Sequence, residues 1–129
     1  MAIAMNKLSV LVVDDTAHAR ELTLLFLTRL GVHQVHAAAD GHEAQKFLQS
    51  SGERVDLIIC DWHMPGMTGL ELLQKVRAIN PDMPFIMVTG NTDIDAVQAA
   101  GELAVSAYIR KPYSPQQFKE KLMAVLDKL

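Results

Sequence analysis

Four places in the chain set side chains with chemical capacity directly after an apolar run. LSVLVV at 8–13 leads into Asp14-Asp15, and VDLIIC at 55–60 leads into Asp61. FIMV at 85–88 leads into Thr89-Gly90, and VSAYI at 105–109 leads into Arg110-Lys111-Pro112. Three carboxylates brought together repel and raise one another's pKa, so such a cluster is costly without a cation. Oxygen ligands with room for water suit a hard ion such as magnesium. A carboxylate can attack phosphorus and hold the group as an acyl phosphate. A divalent ion and a lysine would then neutralise charge on the transferring group, while a threonine hydroxyl bonds another of its oxygens. The chemistry these residue types point to is phosphoryl transfer to an aspartate.

That chemistry needs a scaffold that gathers the ends of four strands. Apolar, β-branched runs alternate with segments of helical periodicity, the pattern of a doubly wound α/β fold with a parallel sheet covered on both faces. The strands expected are 8–13, a weak one at 35–38, 55–60, 85–88 and 105–109. Helices are expected between them. The first has Leu22, Leu25, Phe26 and Leu30 on its apolar face and Gly31 at its C-cap. The second carries Ala44, Phe47 and Leu48. The third opens on a Thr68–Glu71 capping box, carries Leu72, Leu73, Val76 and Ile79, and ends at Asn80-Pro81. Thr92 caps a fourth with Ile94 and Val97. The last has Ser114 as N-cap, Pro115 at N1 and Gln117 as capping-box partner, with Phe118, Leu122, Val125 and Leu126 inward. In such a sheet ligands bind beyond the carboxyl ends of the strands, near a switch in strand order. The chemical residues all fall there.

Bulk properties narrow the class. A length of 129 residues suits one domain, 1–129 with a core of about 8–128. A single cysteine, Cys60, excludes an intramolecular disulfide and a cysteine-based zinc cage, and fits a reducing compartment. A net charge of −3 gives no basic footprint for nucleic acid. No apolar run is long enough to span a bilayer, and MAIAMNK does not read as a signal peptide. A cytoplasmic chain is expected, standing alone, since the last helix and the chain end together.

VVDD at 12–15, DWHMPGMTG at 61–69, Thr89 and YIRKP at 108–112 together resemble the receiver domain of two-component response regulators, most closely the single-domain, chemotaxis-regulator-like type. No one of these motifs is specific; four in order at the ends of the right strands are. The resemblance covers nearly the whole chain and implies a flavodoxin-like (βα)5 fold of strand order 2-1-3-4-5. It implies that Asp61 is the phosphoacceptor and that Asp14, Asp15, Asp61 and the backbone carbonyl of His63 hold Mg2+ or Mn2+. Thr89 and Lys111 would bind the phosphoryl oxygens, Thr89 and Tyr108 would form the switch, and Lys111-Pro112 would be a cis peptide. A histidine kinase or phosphotransfer protein would be the donor. A downstream protein would read the face made by the fourth helix, the fifth strand and the last helix, including Ala99, Glu102, Tyr108, Lys119 and Leu122. Such a module is a monomer or weak dimer, and it turns over only its own aspartyl phosphate rather than a substrate. His63 departs from the residues usual at its position, which bears on the lifetime of the phosphorylated state.

Each residue also has a plainer reading. Asp14-Asp15 alone would be a helix N-cap pair, Asp61 a capping aspartate, Thr89 a turn residue, Lys111 a solvated lysine and Tyr108 strand packing; convergence at strand ends outweighs these. Cys60 reads as inert core, the scattered His18, His33, His36 and His42 as surface histidines, and Met64, Met67, Met83 and Met87 as packing. A receiver-like module that binds without phosphorylation is the main competing function, and the complete set of acidic pair, acceptor, threonine and lysine argues against it. A haloacid-dehalogenase-like phosphohydrolase needs a carboxylate two residues after its nucleophile, where His63 stands. An FMN carrier needs a phosphate cradle where DDTAHA is acidic.

Overall fold

The computed structural model describes residues 4–90 and 105–129. After a 3-10 turn at Met5–Lys7 come β1 (Ser9–Val13), α1 (Ala17–Arg29), β2 (Gln34–Ala38), α2 (Gly41–Ser50), β3 (Leu57–Asp61), α3 (Gly69–Ile79), β4 (Phe85–Thr89), β5 (Ala107–Arg110) and a C-terminal helix (Pro115–Leu126). All four strand pairings are parallel, in the order β2-β1-β3-β4-β5. The chain therefore sets β2 on one side of β1 and, crossing back through α2, β3 on its other side. The switch point lies between the ends of β1 and β3, beside Asp14 and Asp61. The helix expected from Thr92, with Ile94 and Val97, lies outside the described residues, as do Ala99 and Glu102.

Two-residue alternation along the buried strands divides the core in two. Val10 and Val12, Leu57 and Ile59, Ile86 and Val88, and Ile109 pack toward Phe26 and Leu27 of α1 and Phe118, Leu122 and Val125 of the C-terminal helix. Leu11 and Val13, Ile58 and Cys60, and Phe85 and Met87 pack toward Ala44 of α2 and Leu72, Leu73 and Val76 of α3. Met64, Met67 and Met87 belong to this second cluster and Met83 packs on it, as their packing role requires.

Helix ends follow local chemistry. Ser114 and Gln117 form the full capping box with Pro115 in the first turn. Thr68 accepts from the Glu71 N–H while its hydroxyl reaches Glu71 Oε1 at 3.2 Å. Asp40 caps α2 by accepting from Glu43 N–H. Gly31, with φ 96°, follows the Leu30 cap of α1, a conformation that costs glycine little.

Some boundaries and faces differ from expectation. β3 starts at Leu57 rather than Val55: Asp56 N–H donates to the Ser9 carbonyl at 2.8 Å, but Ser9 N–H donates to the Asp56 carboxylate at 2.9 Å instead of to a backbone carbonyl. β5 starts at Ala107 rather than Val105, since Ser106 Oγ accepts from Phe85 N–H at 3.0 Å. On α1, Leu25 is 44% exposed and Thr23, Phe26 and Leu27 are buried. Leu122 is fully buried, so it contributes nothing to a docking face, whereas Lys119 is exposed. His36 is half-buried against Phe47 at a ring separation of 4.8 Å rather than free at the surface.

Candidate functional site

The alternation that splits the core also assembles the site. Asp14 continues the series of Val10 and Val12, Asp61 that of Leu57 and Ile59, and Lys111 that of Ile109. Three polar residues thus extend one face past the carboxyl ends of β1, β3 and β5. Lys111 Nζ stands 3.3 Å from Asp14 Oδ2 and 3.3 Å from Asp61 Oδ1. Carboxylate oxygens of Asp14, Asp15 and Asp61 lie within 4.8 Å of one another, Asp14 and Asp61 buried and Asp15 exposed. Opposed oxygens around an octahedral magnesium ion are roughly 4 Å apart. The set fits a hard divalent cation, with water completing the shell.

The backbone holds these groups in place. Asp14 N–H donates to Ala38, Trp62 N–H to Val88 and Lys111 N–H to Thr89, each bond joining a strand end to its neighbour. Asp14 Oδ1 accepts from Thr16 N–H at 2.9 Å, and Arg20 of α1 donates to the Asp14 carbonyl at 2.8 Å. Gly69, the first residue of α3, abuts the Asp61 carbonyl so closely that a Cβ would overlap it. The Lys111-Pro112 peptide is cis.

Electrostatics leave the cluster net negative, with three carboxylates facing one ammonium. Burial raises the Asp61 pKa from its ordinary value; Lys111 works against this, and Asp14 and Asp15 add to it. Burial alone would lower Lys111, but Asp61 and Asp14 outweigh it and hold the ammonium above its ordinary value. Cys60 is fully buried with its thiol on the Asp61 carbonyl, and burial, then Asp61 and Asp14, push its pKa well up, as inert core requires.

Thr89 is the buried last residue of β4, and counting from Phe85 and Met87 places it in the other series. Tyr108 is registered opposite Met87 and packs on that same cluster, so Thr89 and Tyr108 belong to one face of the sheet end. His63 is exposed, two residues past Asp61. The structure therefore brings Asp14, Asp15, Asp61 and Lys111 together and sets Thr89 and Tyr108 on one face of the sheet end. Sequence reasoning missed Arg20 and Gly69. Only Gly69, as the second glycine of PGMTG, carried a local signal.

Comparison with known proteins agrees with this fold. The response regulator receiver domain family matches residues 10–123. A Campylobacter jejuni protein named Chemotaxis protein CheY homolog is 46% identical over 121 residues, covering 92% of each chain. Helicobacter pylori Chemotaxis protein CheY1 is 40% identical, covering 92% of this chain and 97% of that one. Among solved structures, Vibrio cholerae chemotaxis protein CheY4 superposes with TM-score 0.84 at 33% identity, over 95% of this chain and 100% of that one. A CheY-like receiver domain protein from Methanospirillum hungatei superposes with TM-score 0.86 at 32% identity, over 95% and 96%.

Proposed function

The chain belongs to the response regulator receiver domain family, and we propose that it is a switch thrown by phosphorylation of Asp61. The observation that carries this reading is the Lys111 ammonium held 3.3 Å from both Asp14 and Asp61 inside a cluster of three carboxylates. A cluster so negative is poised for a cation and a phosphoryl group rather than for its own stability.

The donor is a phosphohistidine on a histidine kinase or phosphotransfer protein. An Asp61 carboxylate oxygen attacks phosphorus, the P–N bond breaks and the imidazole leaves. A magnesium or manganese ion held by Asp14, Asp15, Asp61 and the His63 carbonyl would supply positive charge to the phosphoryl oxygens. Lys111, protonated at neutral pH, turns from Asp61 to one of those oxygens. The Thr89 hydroxyl donates to another, and its movement frees space into which Tyr108 packs. The signal is read by a downstream protein on the face that includes β5 and the exposed side of the C-terminal helix, with Tyr108 and Lys119.

Incubating the protein with a phosphohistidine donor and magnesium tests the reading. Acid-labile, hydroxylamine-sensitive label is expected on wild type and none on Asp61→Asn. Normal labelling of that variant would remove Asp61 as acceptor.

A further inference from the structure

Tyr113 stands two residues beyond Lys111, and its hydroxyl lies 2.6 Å from Thr23 Oγ1 on α1, 90 residues away in the chain. Thr23 is buried, and its hydroxyl also donates to the Ala19 carbonyl at 3.1 Å. A hydroxyl has one hydrogen to give. With that hydrogen directed at Ala19, Tyr113 is the donor in the short contact. Its ring is located by Phe26 of α1 at 5.9 Å, edge-on, and by Phe118 of the C-terminal helix at 5.7 Å, stacked. A phenylalanine would keep both ring contacts, so the hydroxyl adds a directional tie between the turn and α1.

That tie matters because apolar packing does not close this side of the turn. A cleft of about 390 Å³ separates His18, Ala19 and Leu22 of α1 from Lys111, Pro112 and Tyr113. The same helix is bound to Asp14 through Arg20, whose guanidinium donates to the Asp14 carbonyl at 2.8 Å. Asp14 and Lys111, 3.3 Å apart, are thus referred to one helix by two routes, through Arg20 and through Tyr113.

We propose that Tyr113 is a positioning residue for Lys111: its hydrogen bond to Thr23 registers the turn after β5 against α1 and so sets where the ammonium stands between Asp14 and Asp61. The consequence for rate rests on Asp61 being the phosphoacceptor; the consequence for the ammonium's position does not.

Two readouts separate these. The first is the side-chain ammonium resonance of Lys111 in the metal-free protein. The second is the maximal rate of Asp61 phosphorylation at saturating phosphoramidate and magnesium. Tyr113→Phe and Thr23→Val each move the resonance toward that of a solvated lysine. Each also slows the maximal rate about threefold to tenfold, the range one neutral hydrogen bond spans. Thr23→Ser, which keeps the hydroxyl, restores both. In a Lys111→Ala background Tyr113→Phe slows the reaction no further. An unmoved resonance in Tyr113→Phe would overturn the proposal, as would equal slowing without Lys111 or a Thr23→Ser protein as impaired as Thr23→Val. If wild type accepts no phosphoryl group while the resonance still responds, the clamp stands and the reading of Asp61 falls.

Discussion

Gly69 and the carbonyl oxygen of Asp61 are packed so closely that the start of α3 and the end of β3 leave no room for a Cβ between them. Gly69 N–H also donates to the Trp62 carbonyl at 2.8 Å, so the helix is seated on the backbone of the candidate acceptor. A methyl group at position 69 must displace backbone, with Trp62 Cα and Met87 Sδ each 3.0 Å from where it would stand. Gly69→Ala is expected to cost about 1–3 kcal/mol, as overpacking does, and to slow phosphoryl acceptance by tilting Asp61. Denaturant unfolding together with the phosphoramidate reaction checks both. A variant as stable and as fast as wild type would show that the contact is loose.

The Asp61 carboxyl gives a pH signature. Burial, opposed by Lys111 and reinforced by Asp14 and Asp15, raises its pKa in the folded state. A raised pKa means the folded protein binds the proton more tightly than the unfolded chain. The side chain's favourable contribution is complete below the unfolded value of about 3.9 and is lost as pH rises through the folded value. Asp61→Asn removes that loss. In the absence of magnesium it should melt above wild type at pH 7. The gap should shrink toward pH 4. A gap that is constant with pH, or reversed, would mean the lysine pairing outweighs burial.

How much of this was legible in the sequence depends on the range of the interaction that decides it. Ser114, Pro115 and Gln117 announced the last helix because a capping box is closed within four residues. The site residues were legible because each ends a strand, and strand order alone carries them to one edge. The apolar face of α1 was misassigned at Leu25 because LTLLFL offers apolar residues in more than one register. What selects the register is the packing of Phe26 and Leu27 against strand and C-terminal-helix residues far along the chain, and no local pattern carries that. The starts of β3 and β5 slipped for a similar reason: beside a backbone bond to a distant residue, Asp56 and Ser106 each accept that residue's N–H with a side chain rather than a carbonyl.

Under the proposed function magnesium binds the folded cluster and not the dispersed carboxylates of the unfolded chain. At a hundredfold excess over Kd, linkage is worth about 2.7 kcal/mol. Asp14→Asn should forfeit more than half of that gain. Trp62, the one tryptophan and the neighbour of Asp61, supplies a fluorescence signal for the titration that accompanies the melts. Melting midpoints of wild type that ignore tens of millimolar magnesium would speak against the site.

Lys111→Ala and Thr89→Ala should fail in different ways. Without Lys111, Asp14 and Asp61 lose the ammonium 3.3 Å from each, so phosphoryl acceptance slows and metal-free stability falls by about 1–3 kcal/mol. Without Thr89 the phosphoryl group is still accepted, but Tyr108, one register step away on the same face, no longer follows. Tyr108 ring resonances with beryllium trifluoride bound separate the two. Equal shifts in wild type and Thr89→Ala would mean Thr89 is not the link.

His63 concerns the lifetime of the phosphorylated state. Its side chain is exposed two residues past Asp61, and the next residue, Met64, is buried and anchors the segment. The part of His63 proposed to meet the metal is its backbone carbonyl, which a change of side chain leaves in place. The ring is therefore free to act on a different species, the water that must approach the acyl phosphate in line. A side chain at the exposed mouth of the site acts by standing in that path, and shrinking it admits water. His63→Ala should shorten the lifetime of phosphorylated Asp61 by about threefold, a modest effect of water exclusion, and leave the magnesium Kd unchanged. Phosphorylating both proteins with phosphoramidate, removing the donor and following Trp62 fluorescence gives the decay. Equal decay in the two proteins would mean that the ring lies away from the water's path, and a weakened magnesium Kd would mean that the substitution has moved the carbonyl as well.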